Sequence, residues 1–165
     1  MDVETKIDFK RYLKLMFALT YRKPTMIFLA IVGLIMFIGS ILYFLGFNVP
    51  FDSPPYFQII FGFCLIAILP YSIYSTSKKN FSTHSRLQEK IIYVFTDEKI
   101  KQIGESFNSE MDWSKIYKII ELKGWILIYQ NRQTANLIPK EFFGDNISEF
   151  RELVKKKGIK AKMRK

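Results

Sequence analysis

The sequence predicts an α-helical transmembrane hairpin followed by a small α+β cytoplasmic domain, in which an antiparallel sheet of six or seven strands is closed by a C-terminal helix. Two runs, residues 25–47 and 56–77, contain no charged side chain. A bilayer core about 30 Å thick needs roughly 20 helical residues at about 1.5 Å each, so each run can cross it once. After residue 78, short β-branched and aromatic runs alternate with turn residues, which is typical of strands.

The first 24 residues are predicted to be an amphipathic segment in the cytoplasm. Four apolar side chains share one helical face, with Lys10, Arg11 and Lys14 on another. Such a helix either lies in the membrane interface or docks on the soluble domain, and the pattern leaves both open. Pro24 fits the first turn of the helix that follows, where its missing N–H costs nothing. The predicted apolar face consists of Phe9, Leu13, Met16 and Phe17.

The hairpin is predicted as a first transmembrane helix at residues 25–47, an extracytoplasmic loop at 48–55 and a second helix at 56–77. Small residues in the first run permit close helix approach in lipid. Their partner is either the second run, around Gly62 and Ala67, or a second copy of the chain. Pro70 predicts a kink in the second helix. The small residues of the first run are Gly33, Gly39, Ser40 and Gly46.

The distribution of positive charge predicts the topology. The chain has a net charge of +10, and the loop at 48–55 has no Lys or Arg. The positive-inside bias therefore places both termini of this multi-pass protein in the cytoplasm. Attraction to anionic lipid also explains the basic charge, so no nucleic-acid partner is expected. The residues predicted to contact the membrane surface are Lys10, Arg11, Lys14, Arg22, Lys23, Lys78, Lys79, Lys155, Lys156, Lys157, Lys160 and Lys162.

The remaining chain is predicted as a cytoplasmic domain at residues 78–158 and a basic tail at 159–165, which ends in Arg164 and Lys165. Lys123-Gly124 is predicted as a two-residue hairpin connection. Asp145 or Asn146 is predicted to begin the final helix and Gly158 to end it. The predicted strands lie near residues 81–87, 91–95, 100–103, 106–112, 116–122, 125–129 and 135–138, and the apolar face of the helix is Ile147, Phe150, Leu153 and Val154.

The sequence offers few groups for catalysis. Cys64 is the only cysteine and lies in the second apolar run, and His84 is the only histidine. One histidine with scattered carboxylates has no metal-ligand spacing. The sequence therefore predicts no enzyme activity, no cofactor, no metal and no small-molecule substrate. A membrane-bound hydrolase that uses His84 is a remote alternative, because the members of a catalytic triad need to be adjacent only in space.

Two motifs resemble those of the YcxB-like membrane proteins of bacteria. They are Trp113-Ser114-Lys115-Ile116-Tyr117-Lys118-Ile119 and Ala135-Asn136-Leu137-Ile138-Pro139-Lys140. The resemblance implies two transmembrane helices, a pleckstrin-homology-like (PH-like) C-terminal domain and a location in the bacterial cytoplasmic (inner) membrane. It carries over no catalytic residues. Trp113 is expected to cover one end of the sheet, with a partner for its N–H.

These observations predict a non-enzymatic integral membrane protein whose cytoplasmic PH-like module binds a protein or an anionic lipid. The lipid bilayer is one expected partner, and a protein or a second copy of the chain is another. The alternative is an accessory subunit of a larger transporter or membrane complex, which associates through the helical hairpin.

Overall fold

The computed structural model describes residues 1–163 and divides into two compact units. The helical unit is Asp8–His84, and the strand-rich unit combines Met1–Ile7 with the chain from Ser85 onward. Arg164 and Lys165, the end of the predicted basic tail, lie outside the described residues.

The helical unit contains α1 (Phe9–Thr20), α2 (Pro24–Phe44) and α3 (Tyr56–Thr83). Asp8 caps α1, since its Oδ1 accepts a hydrogen bond from the N–H of Arg11 at 2.8 Å. Pro24 opens α2, as predicted. Both α2 and α3 are long and apolar enough to cross a membrane, and only 11% and 6% of their most apolar stretches are buried. They therefore differ from the core helices of a soluble protein, which are mostly buried.

The helices α2 and α3 pack closely where both lack side chains. A Cβ on Gly62 would lie 2.8 Å from the carbonyl oxygen of Gly33, and a Cβ on Gly33 would lie 2.7 Å from the Cβ of Leu65. Ser40 is fully buried and donates its hydroxyl to the carbonyl of Met36 at 2.8 Å. Of the small residues of the first run, Gly33 thus packs at Gly62, as the first alternative predicted. Self-association of the chain stays a prediction.

Helix α1 forms as predicted, but its buried face differs from the predicted one. It packs on α3 through Phe9, which meets the rings of Tyr74 and Phe81, and through Tyr12, whose ring lies 5.6 Å from that of Phe81. Tyr12 and Leu15 are its buried side chains. The buried face is displaced from the predicted one because the ring of Tyr12 packs against Phe81 on α3, which brings Leu15 inward as well.

The strand-rich unit contains two four-stranded sheets, so the prediction of a single sheet of six or seven strands is wrong. The first sheet has the order β1-β2-β3-β4 and the second the order β7-β6-β5-β8. A 3-10 turn at Trp113–Lys115 separates β4 from β5 and redirects the chain. The strands are β1 (Asp2–Thr5), β2 (Ile91–Phe95), β3 (Lys99–Ile103), β4 (Asn108–Asp112), β5 (Lys118–Glu121), β6 (Trp125–Tyr129), β7 (Ala135–Pro139) and β8 (Ala161–Lys162).

Two further differences concern the edges of these sheets. The predicted strand near residues 81–87 is wrong, because Phe81 continues α3 and Ser85–Leu87 forms a 3-10 turn. Strand β1 was not predicted, yet it pairs antiparallel with β2, with Val3 opposite Tyr93. Strand β8 pairs parallel with β5. The Lys123-Gly124 connection is confirmed by the hydrogen bond from the N–H of Leu122 to the carbonyl of Trp125 at 2.8 Å.

An aromatic cluster centres on Phe95 in the core of this unit. Its ring lies 6.2 Å from that of Trp113, 6.0 Å from that of Phe143 and 5.0 Å from that of Phe150. The indole N–H of Trp113 donates to the carbonyl of Thr96 at 2.8 Å, as its burial requires. Helix α4 (Ile147–Lys156) contributes Phe150 and Val154, and Gly158 follows it at a φ of +63°. The predicted final helix is thus confirmed, but the predicted cap is not, because Asn146 precedes the helix without a side-chain capping hydrogen bond.

Candidate functional site

The residues predicted to contact the membrane surface fall into two groups, one in each unit. Lys10, Arg11 and Lys14 lie in α1, and Arg22 and Lys23 lie in the connection from α1 to α2. Lys78 and Lys79 lie in the last two turns of α3. The other group lies between the end of α4 and β8 and consists of Lys155, Lys156, Lys157, Lys160 and Lys162.

Three of these cations are held by carboxylates. Lys156 and Lys157 lie 3.2 and 3.3 Å from Oδ1 of Asp97, in the turn between β2 and β3. Hydrogen bonds from these two ammonium groups, together with their charge, lower the pKa of Asp97. Arg11 forms an ion pair with Asp8 at 3.1 Å. Among residues 1–163, the other nine cations of the two groups are exposed and lie in no ion pair.

The charge of the helical unit is strongly asymmetric. It contains seven Lys and Arg residues, and all of them lie in α1, in the connection from α1 to α2 or at the end of α3. Its two acidic residues are Asp8, which pairs with Arg11, and Asp52 in the loop between α2 and α3. This end of the helical unit therefore attracts anions.

A cavity of about 310 Å³ lies within the helical unit, between α1, the start of α2 and the last four turns of α3. Apolar lining comes from Met16, Met26, Leu69 and Ile73. The lining surface is mostly apolar even where the residues bear hydroxyl or amide groups, which are Thr20, Tyr21, Ser72, Thr76, Ser77 and Asn80. Arg22 and Lys23 directly follow the lining residue Tyr21 and are exposed. The cavity thus combines apolar walls, polar uncharged groups and nearby cations.

The packing of α1 on α3 fixes one wall of this cavity. The side chain of Asn80 hydrogen-bonds to the hydroxyl of Tyr12. Burial nevertheless dominates and raises the pKa of the Tyr12 hydroxyl, so this group stays neutral. The cavity could not be predicted from the sequence, because its walls come from three helices. The one local signal was the run of hydroxyl residues in the second half of the apolar segment that becomes α3.

His84 lies at the end of α3 and is exposed. Its Nδ1 lies 2.9 Å from the carbonyl oxygen of Asn80 and 3.2 Å from the hydroxyl of Thr83. Within residues 1–163, no group of three or more His, Cys, Asp or Glu side chains could hold a metal ion. The described chain thus places the imidazole among backbone and hydroxyl groups of its own helix end.

The comparisons with known proteins concern the strand-rich unit. Residues 95–154 match the family model described as YcxB-like protein. The match supports the family resemblance over just over a third of the chain. No curated protein and no solved structure matches the chain.

The YcxB-like segment runs from the last residue of β2 into α4. It contains both motifs that carried the resemblance. Trp113 begins the 3-10 turn between the two sheets, and Pro139 ends β7, an edge strand in which no ladder N–H is needed at that position. The cavity, α1, α2, α3 and β1 all lie outside the matched residues.

Proposed function

We propose that the chain is a non-enzymatic integral membrane protein that displays a PH-like YcxB-like module on the cytoplasmic face of a bacterial inner membrane, where this module binds a protein or an anionic lipid partner. The helices α2 and α3 form the membrane-spanning hairpin. The strand-rich unit is the module.

One observation carries this proposal. The apolar side chains of α2 and α3 are largely exposed, and both ends of the helical unit lead into the same folded unit. Strand β1 precedes α1, whereas its hydrogen-bonded neighbour β2 follows α3. A chain that crosses a bilayer twice returns to the side where it started, so this pairing is compatible with two spans and with no odd number of them. Exposed apolar helices need lipid around them.

The exposed cations favour an anionic lipid over a protein as the partner. Lys155, Lys160 and Lys162 are exposed, and a basic residue near an anionic leaflet contributes about 1 kcal/mol. The module is tethered beside the membrane, so weak contacts are enough to hold it there. The PH-like assignment belongs to this proposal, and it is supported by the two sheets and by α4, which packs on the core.

Hydrogen–deuterium exchange of the full chain in nanodiscs tests the lipid partner. Residues 155–162 are expected to exchange more slowly in phosphatidylglycerol than in phosphatidylcholine. The variant with Lys155→Gln, Lys160→Gln and Lys162→Gln is expected to lose this difference. A triple variant at Lys90, Lys115 and Lys123, each changed to Gln, is the matched control. Equal exchange in the two lipids would contradict the lipid partner and leave the protein partner to be tested.

Cross-linking in cells separates the module from the hairpin as the binding element. Residues 24–83 are replaced by an unrelated two-span hairpin, which keeps the sequences of α1, β1 and β2 but removes the packing of α1 on α3. The module is expected to keep its cross-linked partners after this exchange. Loss of every partner would favour an accessory subunit that associates through its hairpin.

A further inference from the structure

We propose that the cavity of the helical unit binds one anionic phospholipid of the cytoplasmic leaflet, with the head group at Arg22 and Lys23 and the upper acyl chains over Leu69 and Met26. The inference rests on the proposed membrane location. It assigns a lipid site to the hairpin and α1, outside the YcxB-like segment.

The volume of the cavity suits part of a lipid. At about 310 Å³ it lies at the lower end of the range for small-molecule sites. A water molecule takes up about 30 Å³ of the liquid, so this space exceeds what one ordered water fills. It accommodates the glycerol region and the first carbons of the chains, while the rest of the lipid lies outside.

Along α3, the residues that line the cavity change from apolar to polar toward the cytoplasmic end, as a lipid of this leaflet does from its acyl chains to its head group. Along α3 the lining begins at Leu69, within the apolar stretch, and ends at Asn80, beyond it. At about 1.5 Å per residue these positions are about 16 Å apart, which is close to half of the bilayer core thickness. Ser72 and Thr76 lie between them, and their hydroxyls belong to the small polar part of a mostly apolar lining, which suits the glycerol region above the acyl chains.

Charge identifies the head group as anionic. Arg22 and Lys23 directly follow the lining residue Tyr21 and are exposed, and the only acidic residue at this end of the helical unit is Asp8, which is already paired with Arg11. An arginine guanidinium binds phosphate oxygens in a bidentate manner. Basic pockets beside transmembrane helices on the cytoplasmic side favour anionic head groups for the same reason.

The site is tested by native mass spectrometry of the purified full chain in detergent. Equal amounts of phosphatidylglycerol and phosphatidylcholine with identical chains are added. The wild-type chain is expected to retain one phosphatidylglycerol in preference to phosphatidylcholine. Retention of no lipid, or of both lipids equally, would overturn the proposal.

Two variants address the cavity itself. Ser72→Phe fills it and is expected to reduce retention at least about tenfold. Ser75→Phe places the same side chain on the same helix, at an exposed position that does not line the cavity, and is expected to leave retention unchanged. Equal retention by the two variants would overturn the assignment to this cavity. Circular dichroism of both variants confirms that the helices are intact.

Two further variants address the head group. The double variant Arg22→Gln with Lys23→Gln is expected to lose the preference for phosphatidylglycerol, whereas Lys10→Gln with Lys14→Gln is expected to keep it. A chain that needs detergent to stay in solution but retains no lipid overturns this inference alone. A chain that stays monodisperse without detergent overturns the proposed membrane function as well.

Discussion

Glu121 in β5 is a buried carboxylate that joins the second sheet to α4. Its Oε1 and Oε2 accept hydrogen bonds from Nη2 and Nε of Arg151 at 2.5 and 3.0 Å, and Lys140 also donates to Oε1. The hydrogen bond to Glu121 raises the pKa of Arg151. The carboxylate has no exposed surface, whereas a third of the Arg151 side chain is exposed. Removal of Arg151 therefore leaves a carboxylate that water cannot reach, whereas removal of Glu121 leaves a guanidinium that water can solvate.

Arg151→Leu is expected to destabilise the strand-rich unit more than Glu121→Leu does. Loss of Arg151 removes the two hydrogen bonds of its guanidinium from a fully buried carboxylate, which costs about 3 kcal/mol. Loss of Glu121 leaves cations that reach water. Urea unfolding followed by tryptophan fluorescence measures this, because both tryptophans, Trp113 and Trp125, lie in this unit. Lys115→Leu, which breaks the exposed pair with Asp112, is expected to cost less than about 1 kcal/mol. A larger loss of stability in Glu121→Leu than in Arg151→Leu would contradict this explanation.

The pair of Asp97 with Lys156 and Lys157 predicts a pH dependence. Lys156 and Lys157 lower the pKa of Asp97 in the folded state. The stability that this carboxylate contributes is therefore fully present above its unfolded pKa of about 3.9 and is lost as pH falls through the lower folded pKa. The midpoint of unfolding of the wild type is expected to exceed that of Asp97→Asn at neutral pH and to converge with it in acid. A difference that is constant with pH would contradict this assignment.

At the scale of elements, the contact between α2 and α3 depends on two glycines. A Cβ on Gly62 would approach Gly33 and Phe37 to 2.8 Å. Gly62→Val is therefore expected to separate the helices and to lower the temperature at which helical circular dichroism is lost in detergent. Ile60→Val changes an exposed residue of the same helix and is expected to have little effect. Equal melting of the wild type and Gly62→Val would contradict the packing.

Strand β1 lies far from the rest of the strand-rich unit in the sequence, yet it contributes to the core of that unit. Val3 is 1% exposed and belongs to the core around Phe95. Val3→Asp is expected to lower the stability of the strand-rich unit by about 2 kcal/mol or more, since it buries a charge without a partner. Tryptophan fluorescence during urea unfolding again reports the change. Asp2→Asn on the exposed side of β1 is the control, and a loss in that variant of the same size would contradict the assignment of faces.

The elements that sequence reasoning found are those with a local pattern. Strands β2 to β7 and helix α4 follow from alternation, turn residues and a helical period. Strand β1 has only four residues, and its partner lies near residue 93, so no local pattern reveals it. The division into two sheets was missed because strand patterns do not specify which strands pair. The exposed cations were visible in the sequence, whereas the cavity needed the packing of three helices.

At the scale of the whole molecule, the order of units along the chain constrains how it assembles. The strand-rich unit is completed only when β1, which precedes the hairpin, meets β2, which follows it. Such a non-local pairing forms late and slowly compared with local hairpins. In the proposed membrane topology the two units are thus linked in assembly, because insertion of both helices must bring β1 and β2 to the same side.

The membrane topology therefore decides whether β1 and β2 can pair, and cysteine labelling in intact cells measures this topology. With Cys64 changed to Ser, single cysteines are introduced by Ser53→Cys in the α2–α3 loop, Lys6→Cys after β1 and Lys123→Cys between β5 and β6. An impermeant maleimide is expected to label Ser53→Cys from outside, and the other two only after the membrane is opened. Labelling of Lys6→Cys and Lys123→Cys from opposite sides of the membrane would contradict the account.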